Sequence, residues 1–155
     1  MAVSSIRFAS LLLTLLLVGT MFGIWLGYNP SALTATAYVE MQQNAIRALN
    51  TSLPTLGLVC NLLTAALAVL TKNDKPGRYL LVAAVICLAM AAFVTRLGNQ
   101  PINAVVMTWS PEAPATNWME LRETWWHWHI LRTVAGIGAL ALALLAALGS
   151  RRGAA

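Results

Sequence analysis

Residues 8–28 read FASLLLTLLLVGTMFGIWLGY, an apolar segment that contains no charged side chain. About 20 helical residues cross the roughly 30 Å hydrocarbon core of a bilayer, so this segment is long enough to span it. The run exceeds the apolar core of a cleaved signal peptide, and we expect it to persist as a true span. Three further apolar segments follow at residues 53–70, 79–97 and 130–148.

The composition of the whole chain favours a membrane protein. Of the 155 residues 59% are hydrophobic and only 10% are charged, and the mean hydropathy is +0.70. A soluble domain carries about 25% charged residues. Because backbone amides in lipid must find partners within their own segment, the spans are helices. The sequence therefore predicts an all-α fold, a transmembrane four-helix bundle that forms one integral membrane domain over residues 1–155.

The basic residues predict an orientation. They are scattered rather than clustered, which argues against a nucleic-acid partner. With both termini in the cytoplasm, six of them lie inside (Arg7, Lys72, Lys75, Arg78, Arg151, Arg152) and four outside (Arg47, Arg96, Arg122, Arg132). Because cytoplasmic loops are enriched in Lys and Arg, we expect a multi-pass protein of the cell membrane with both termini inside.

The connections between the spans are unequal. Residues 71–78 form a short inner connection, whereas the outer connections, 29–51 and 98–129, are long. Residues 32–49 are good helix formers and predict an extra helix on the outer face. Residues 98–129 contain five of the six tryptophans and predict a long Trp-rich outer loop. Since long loops in small proteins usually carry function, we expect any site at the outer face.

Three glycines of the first span, Gly19, Gly23 and Gly27, repeat every fourth residue. Small residues at this spacing line one face of a helix and let another helix approach closely. They predict packing within the bundle or self-association into a homo-oligomer.

The fourth span begins before its apolar segment does. Asn117 and Glu120 have the spacing of a capping box, which predicts that a helix begins near Trp118 and continues into the span. One third of its circumference then carries a polar and aromatic set, namely Arg122, Trp126, His129, Arg132 and Thr133.

Arg132 lies about one turn inside the span, where a charge needs a partner and usually faces a protein interior or a wet cavity. The candidate partners are Glu40 and the oxyanion of a bound ligand. A metal site is a further alternative, with His129, Glu40 and, from an irregular turn, His127 as ligands. On a regular helix, however, the two histidines point in nearly opposite directions.

The outer connections and the fourth span carry a distinctive pattern: Asn99-x-Pro101-Ile102-Asn103, Trp109, Pro114, Trp118, Arg122 and Trp126-x-x-His129-x-x-Arg132-Thr133. This pattern resembles the anthrone oxygenase-like family of small four-helix membrane proteins, many of which were catalogued only as a domain of unknown function. The resemblance covers most of the chain. It implies a membrane oxygenase that oxidises a hydrophobic aromatic compound with dioxygen as co-substrate.

Under this resemblance the catalytic residues are His129 as the base, and Arg132 and Arg122 as donors to the developing enolate. The residues expected to bind the substrate are Asn99, Asn103, Trp109, Trp125, Trp126, Tyr38 and Gln42. An anthrone carbanion reacts with dioxygen directly, so no cofactor is predicted. The alternative is a non-catalytic membrane protein that binds a lipid or quinone, or stabilises a partner complex, with Arg132 on a lipid phosphate.

Overall fold

The computed structural model describes residues 2–152, and the side chains of residues 3–149. This part of the chain contains no β-strand. Its α-helices are α1 (Ala2–Gly27), α2 (Ala35–Leu49), α3 (Ser52–Leu70), α4 (Lys75–Val94), α5 (Gln100–Val106) and α6 (Trp118–Arg152). A 3₁₀ turn occupies Pro30–Ala32 and a π-helical turn occupies Thr95–Asn99. The side chains of Arg151 and Arg152, which entered the charge balance, lie outside the described residues, as do residues 1 and 153–155 of the predicted domain.

Four segments are long and apolar enough to cross a membrane: Val3–Ala32, Ser52–Leu70, Lys75–Val106 and Trp118–Gly149. The helix α4 packs against α3 and α6, and α1 packs against α3 and α6, which closes a four-helix bundle. Large apolar side chains such as Leu58 and Leu145 are exposed on its outside, as a lipid-facing surface requires. The predicted all-α fold is confirmed, and the chain is a multi-pass membrane protein.

The middle of the bundle holds a core cluster of Leu17, Val18, Met21, Cys60, Leu88 and Ala139. A side chain at Gly136 of α6 would place its Cβ 2.7 Å from Met21 Cε and 3.3 Å from Val18 Cγ2. The glycine leaves room for these two side chains where α1 packs on α6, and the Met21 carbonyl reaches His129 of α6 at the same interface.

The three regularly spaced glycines of α1 do not serve this packing. Gly19, Gly23 and Gly27 are exposed, and a Cβ at any of them meets nothing within 4 Å. The prediction that this face packs within the bundle is therefore wrong. Self-association through the same face stays a prediction.

The predicted extra helix is α2, which lies across one end of the bundle, called here the α2 end. Thr34 caps it by accepting a hydrogen bond from the Ala37 amide at 3.4 Å. The helix is amphipathic and buries one face against the bundle, formed by Tyr38, Val39, Gln42, Gln43 and Ile46.

The third span differs from the prediction, because it does not end at residue 97. Its helix continues through the π-helical turn into α5 and reaches Val106, so the irregular connection shrinks to residues 107–117. The π turn widens the helix just before Pro101, where an α-helix would lose a hydrogen bond. Gly98 makes the turn compact, since a Cβ there would lie 2.5 Å from the Trp128 ring. The helix α6 begins at Trp118, as predicted.

Candidate functional site

The α2 end of the bundle contains a cavity of about 330 Å³. All six helices or their connecting turns contribute to it. Its polar lining residues are Tyr28, Gln42, Asn44, Asn50, Thr95, Asn103 and Arg132, and Ile24, Ile46, Leu53 and Trp125 belong to its apolar lining. Small-molecule sites commonly measure about 300–1,000 Å³ and combine apolar walls with a few polar groups. The cavity has the size and the lining of a site for one small ligand.

A second cavity of about 220 Å³ adjoins the first, and Leu53, Pro54, Thr95 and Arg132 line both. The rest of its lining is mainly apolar and comes from α1, α3, α4, the π turn and α5, with Leu17, Met21, Gly57, Leu88, Ala91, Ala92, Arg96 and Gln100. Arg132 is thus the one charged side chain shared by the two cavities.

Arg132 is 8% exposed, and it is held by aromatic and imidazole groups rather than by an acid. Its Nε and Nη2 donate to Nδ1 of His129 at 3.2 and 2.9 Å. Its guanidinium carbon lies 5.9 Å from the centre of the Trp125 ring, within the range of a cation–π contact. An ion pair joins Arg122 to Glu123, whereas Arg132 contacts no carboxylate among the described side chains. The predicted pairing of Arg132 with Glu40 is wrong, because the Glu40 side chain is exposed on α2 and does not contact Arg132.

His129 is fully buried, and both of its ring nitrogens are engaged. Nε2 lies 3.1 Å from the Met21 carbonyl oxygen, which can only accept, so this nitrogen carries the proton. Nδ1 accepts from the Arg132 guanidinium, which can only donate. The ring is therefore the neutral Nε2–H tautomer. It stacks on Trp125 at 5.2 Å and on Trp126 at 5.5 Å, and it lines neither cavity.

Amide side chains organise the first cavity around Asn103. Its Oδ1 accepts from Trp125 Nε1 at 2.8 Å and from Gln42 Nε2 at 3.5 Å, while its Nδ2 donates to Asn50 Oδ1 at 2.8 Å. Tyr28 extends the chain by donating its hydroxyl hydrogen to Gln42 Oε1 at 3.0 Å. Since each group fixes its neighbour, the polar lining is held in place before any ligand binds.

Three other residues predicted to bind the substrate lie outside the cavity and pack on residues near its lining. Asn99 is fully buried and donates its Nδ2 hydrogen to the Trp125 carbonyl at 3.0 Å. Trp109 packs on the cluster that contains Trp125, and its carbonyl accepts from Gln43 at 2.9 Å. Trp126 stacks on His129. None of the three lines either cavity.

A second polar cluster forms where the 3₁₀ turn, α2 and α6 meet. Glu123 accepts from Arg122 Nη2 at 2.7 Å and from the Ser31 hydroxyl at 3.1 Å. Arg122 also lies 5.0 Å over the Trp118 ring, which contacts the Tyr38 ring at 5.8 Å. Burial raises the pKa of the Tyr38 hydroxyl above its ordinary value, which keeps it neutral. This cluster joins the elements together, and neither Arg122 nor Tyr38 lines the cavities.

The three side chains predicted as alternative metal ligands do not lie close together. His129 is buried, whereas His127 and Glu40 are exposed on different helices. No group of three His, Cys, Asp or Glu side chains with metal-binding spacing occurs among the residues that the structure describes.

Of the predicted site residues, the structure places Arg132, Asn103, Gln42 and Trp125 around the first cavity. The sequence reasoning missed Tyr28, Asn44, Asn50 and Thr95, which also line it. Tyr28, Asn50 and Thr95 lie near the end of an apolar span, at the same end of the bundle, whereas Asn44 lies on α2. A search for polar groups at these span ends would have found the first three.

The fold and the cavities define a small four-helix membrane protein with a buried arginine at the centre of a ligand-sized site. The sequence pattern of the family described as anthrone oxygenase matches residues 41–142, well over half of the chain. The chain therefore belongs to the anthrone oxygenase family. The match includes Gln42, Asn103, His129 and Arg132. No curated protein and no solved structure matches the chain significantly.

Proposed function

We propose that this protein is a membrane-embedded oxygenase that oxidises a hydrophobic, anthrone-like aromatic compound with dioxygen. The observation that carries the proposal is Arg132, a buried cation that lines the cavity without a carboxylate partner among the described residues. A charge at this depth costs at least a few kcal/mol unless it is paired. An anionic oxygen of a bound ligand supplies the missing counter-charge, and membership of the anthrone oxygenase family points to an enolate.

The proposed reaction converts a ring methylene and dioxygen to a carbonyl and water. One methylene proton passes to water, which leaves the electron pair on the ring as an enolate, and the carbon then forms a bond to dioxygen, which is reduced to a peroxide. The peroxide takes up that proton. The second methylene hydrogen then leaves as a proton, its bonding electrons form the carbonyl and break the O–O bond, and the hydroxide released takes this proton to give water. The electrons balance between the carbon and dioxygen, so the proposal needs no external reductant.

The contacts support a division of roles among the side chains. Arg132 stabilises the enolate oxygen, and such donors contribute most where water is excluded. The Trp125 ring and the apolar lining receive the flat ring system, while Asn103 and Gln42 receive its other oxygens. His129 positions the guanidinium, because its Nδ1 lone pair is directed at Arg132. That role differs from the base predicted from the sequence, and His129 as the base stays a prediction.

Oxygen uptake by the purified protein in lipid nanodiscs tests the proposal. Anthrone is added, and oxygen consumption and anthraquinone absorbance are followed against protein-free nanodiscs. We expect one dioxygen consumed per anthraquinone formed, and a loss of about 10²-fold or more in Arg132→Gln. The matched control is Arg47→Gln, since Arg47 is an exposed arginine of α2 that lines neither cavity.

No acceleration over protein-free nanodiscs would contradict the proposal. Binding of a phospholipid headgroup at Arg132 without turnover would favour the non-catalytic alternative.

We further propose that the α2 end faces the outside of the cell, with both termini in the cytoplasm. A membrane-impermeant maleimide is applied to intact cells that carry a single added cysteine. Ala113 and Lys75 are exposed positions at opposite ends of the bundle. We expect labelling at Ala113→Cys but not at Lys75→Cys, and the reverse result would overturn the orientation.

A further inference from the structure

The two cavities meet at Arg132, and each has a mainly apolar lining with a few polar groups. The first carries the amide groups of Gln42, Asn50 and Asn103, and the second carries Arg96 and Gln100 beside a larger set of apolar side chains. Leu53, Pro54 and Thr95 are shared with Arg132, so the two spaces adjoin at one cation. A ligand whose anionic oxygen pairs with Arg132 therefore has a second, apolar space directly beside that oxygen.

The second cavity also opens on the outside of the bundle. Ala92 lines it from α4 and Arg96 from the π turn, both are exposed, and Gly57 lines it from α3 with no side chain to close the gap. Its deep part is formed by Leu17, Met21 and Leu88, which belong to the middle of the bundle. The gap between α3 and α4 thus leads from the outside of the bundle to Arg132.

We propose that the ligand of this site has two parts: an aromatic part whose oxyanion pairs with Arg132 in the first cavity, and an apolar substituent that occupies the second. The substrate class is then an anthrone-like compound that carries an alkyl or prenyl-type side chain and arrives from the bilayer between α3 and α4. The proposal rests on the proposed function and adds the substituent and the route. Because lipid is as apolar as the cavity, transfer of the substituent from lipid gains little affinity, and a side chain that fills the cavity weakens binding by overlapping with the substituent.

Filling the second cavity tests this. Gly57→Leu places a branched side chain in it, and the space at the start of that side chain is open, since a Cβ there lies 3.8 Å from Leu17 Cδ2. Ala92→Leu fills it from the opposite wall. The matched control is Gly19→Leu, on an exposed face of α1 where a Cβ meets nothing within 4 Å. Thermal unfolding of each variant establishes that it is folded.

The probes are 1,8-dihydroxyanthraquinone and the same compound with an octyl chain on carbon 3, in nanodiscs, with binding followed by quenching of tryptophan fluorescence. We expect the wild type and Gly19→Leu to bind both compounds. Gly57→Leu and Ala92→Leu should lose about tenfold or more in affinity for the octyl compound, with little change for the bare ring.

Equal weakening of both probes, or of neither, in the filled variants would overturn the proposal. So would a wild type that binds the bare ring but not the octyl compound, or that binds neither. These outcomes are separate from failure of the proposed function, which appears as absent oxygen uptake with anthrone in the wild type.

Discussion

Arg132 donates two hydrogen bonds to a single acceptor, Nδ1 of His129, which precedes it by three residues on α6. The other ring nitrogen of His129 is fixed by the Met21 carbonyl of α1. The histidine therefore connects the arginine to a neighbouring helix, and the Nη1 group of Arg132 has no hydrogen-bond partner among the described residues. This arrangement leaves part of the guanidinium available to a ligand while its direction is fixed.

The variant His129→Gln separates a positioning role from that of a base. The glutamine amide offers an oxygen acceptor to Arg132 and a hydrogen donor to the Met21 carbonyl, but it cannot take a proton. We therefore expect turnover of anthrone to stay within about tenfold of the wild type, whereas loss of a general base costs about 10²–10⁴-fold. His129→Leu, which offers no acceptor, should lower kcat for anthrone more than it raises KM, because Arg132 pairs with the enolate and the substrate is neutral before it loses its proton.

His129 acts as the base if kcat of His129→Gln falls by 10²-fold or more while binding of 1,8-dihydroxyanthraquinone is unchanged. Fluorescence quenching and oxygen uptake on the same nanodiscs give the two quantities.

Arg132→Leu is expected to keep or raise the unfolding temperature of the ligand-free protein. The substitution removes a buried charge and leaves no carboxylate without its partner, because Glu40 does not contact Arg132. The remaining cost is the unfilled acceptor on His129, about 1–3 kcal/mol. Thermal unfolding in detergent measures the change. Arg122→Leu is the comparison, and it should lower the temperature because Arg122 pairs with Glu123 and covers Trp118.

A clear drop in the unfolding temperature of Arg132→Leu, as large as that of Arg122→Leu, would show that the cation has a structural partner and that no ligand is needed to balance it.

The spans and the beginning of α6 could be predicted from the sequence, because hydropathy and capping are local properties. The pattern around Asn117 placed the helix start at Trp118, and the depth of Arg132 in its span indicated a site. The continuation of the third span to Val106 could not be predicted in this way. Gly98 and Pro101 are ordinary signals of a loop, and only the contact with Trp128 and the π turn explain why the chain stays helical there.

The composition of the cavity was only partly predictable for a related reason. Gln42, Asn103 and Arg132 stand out as polar residues beside apolar runs, but Asn50 and Thr95 become site residues only because α2 and the π turn bring them to the same space. The orientation of the His129 ring could also not be predicted from the sequence. Helix geometry gives the face on which it lies, whereas the acceptor on α1 depends on how α1 packs against α6.

Gly98→Ala should destabilise the protein through a contact with one ring. The new Cβ would lie 2.5 Å from both Cγ and Cδ2 of Trp128, atoms close to the backbone that cannot move far. Overpacking of this kind costs about 1–3 kcal/mol.

The double variant Gly98→Ala/Trp128→Ala should recover most of that loss in a thermal-unfolding cycle. Gly19→Ala, where the space is open, serves as the control. Additive effects of the two substitutions would contradict this account of the π turn.

Asn103→Asp tests whether the ligand of the first cavity is an anion. An aspartate keeps the acceptor for Trp125 Nε1 and Gln42 Nε2 and loses only the donation to Asn50. It also adds a negative charge to the cavity that Arg132 lines, and this charge competes with an anionic ligand. We expect affinity for 1,8-dihydroxyanthraquinone to fall about tenfold or more, since like charges in a site of low dielectric repel strongly.

Unsubstituted anthraquinone, which has no hydroxyl to ionise, is the control and should bind as it does to the wild type. Equal losses for the two compounds would mean that Asn103 acts by shape alone, and unchanged affinity for both would place the ligand elsewhere.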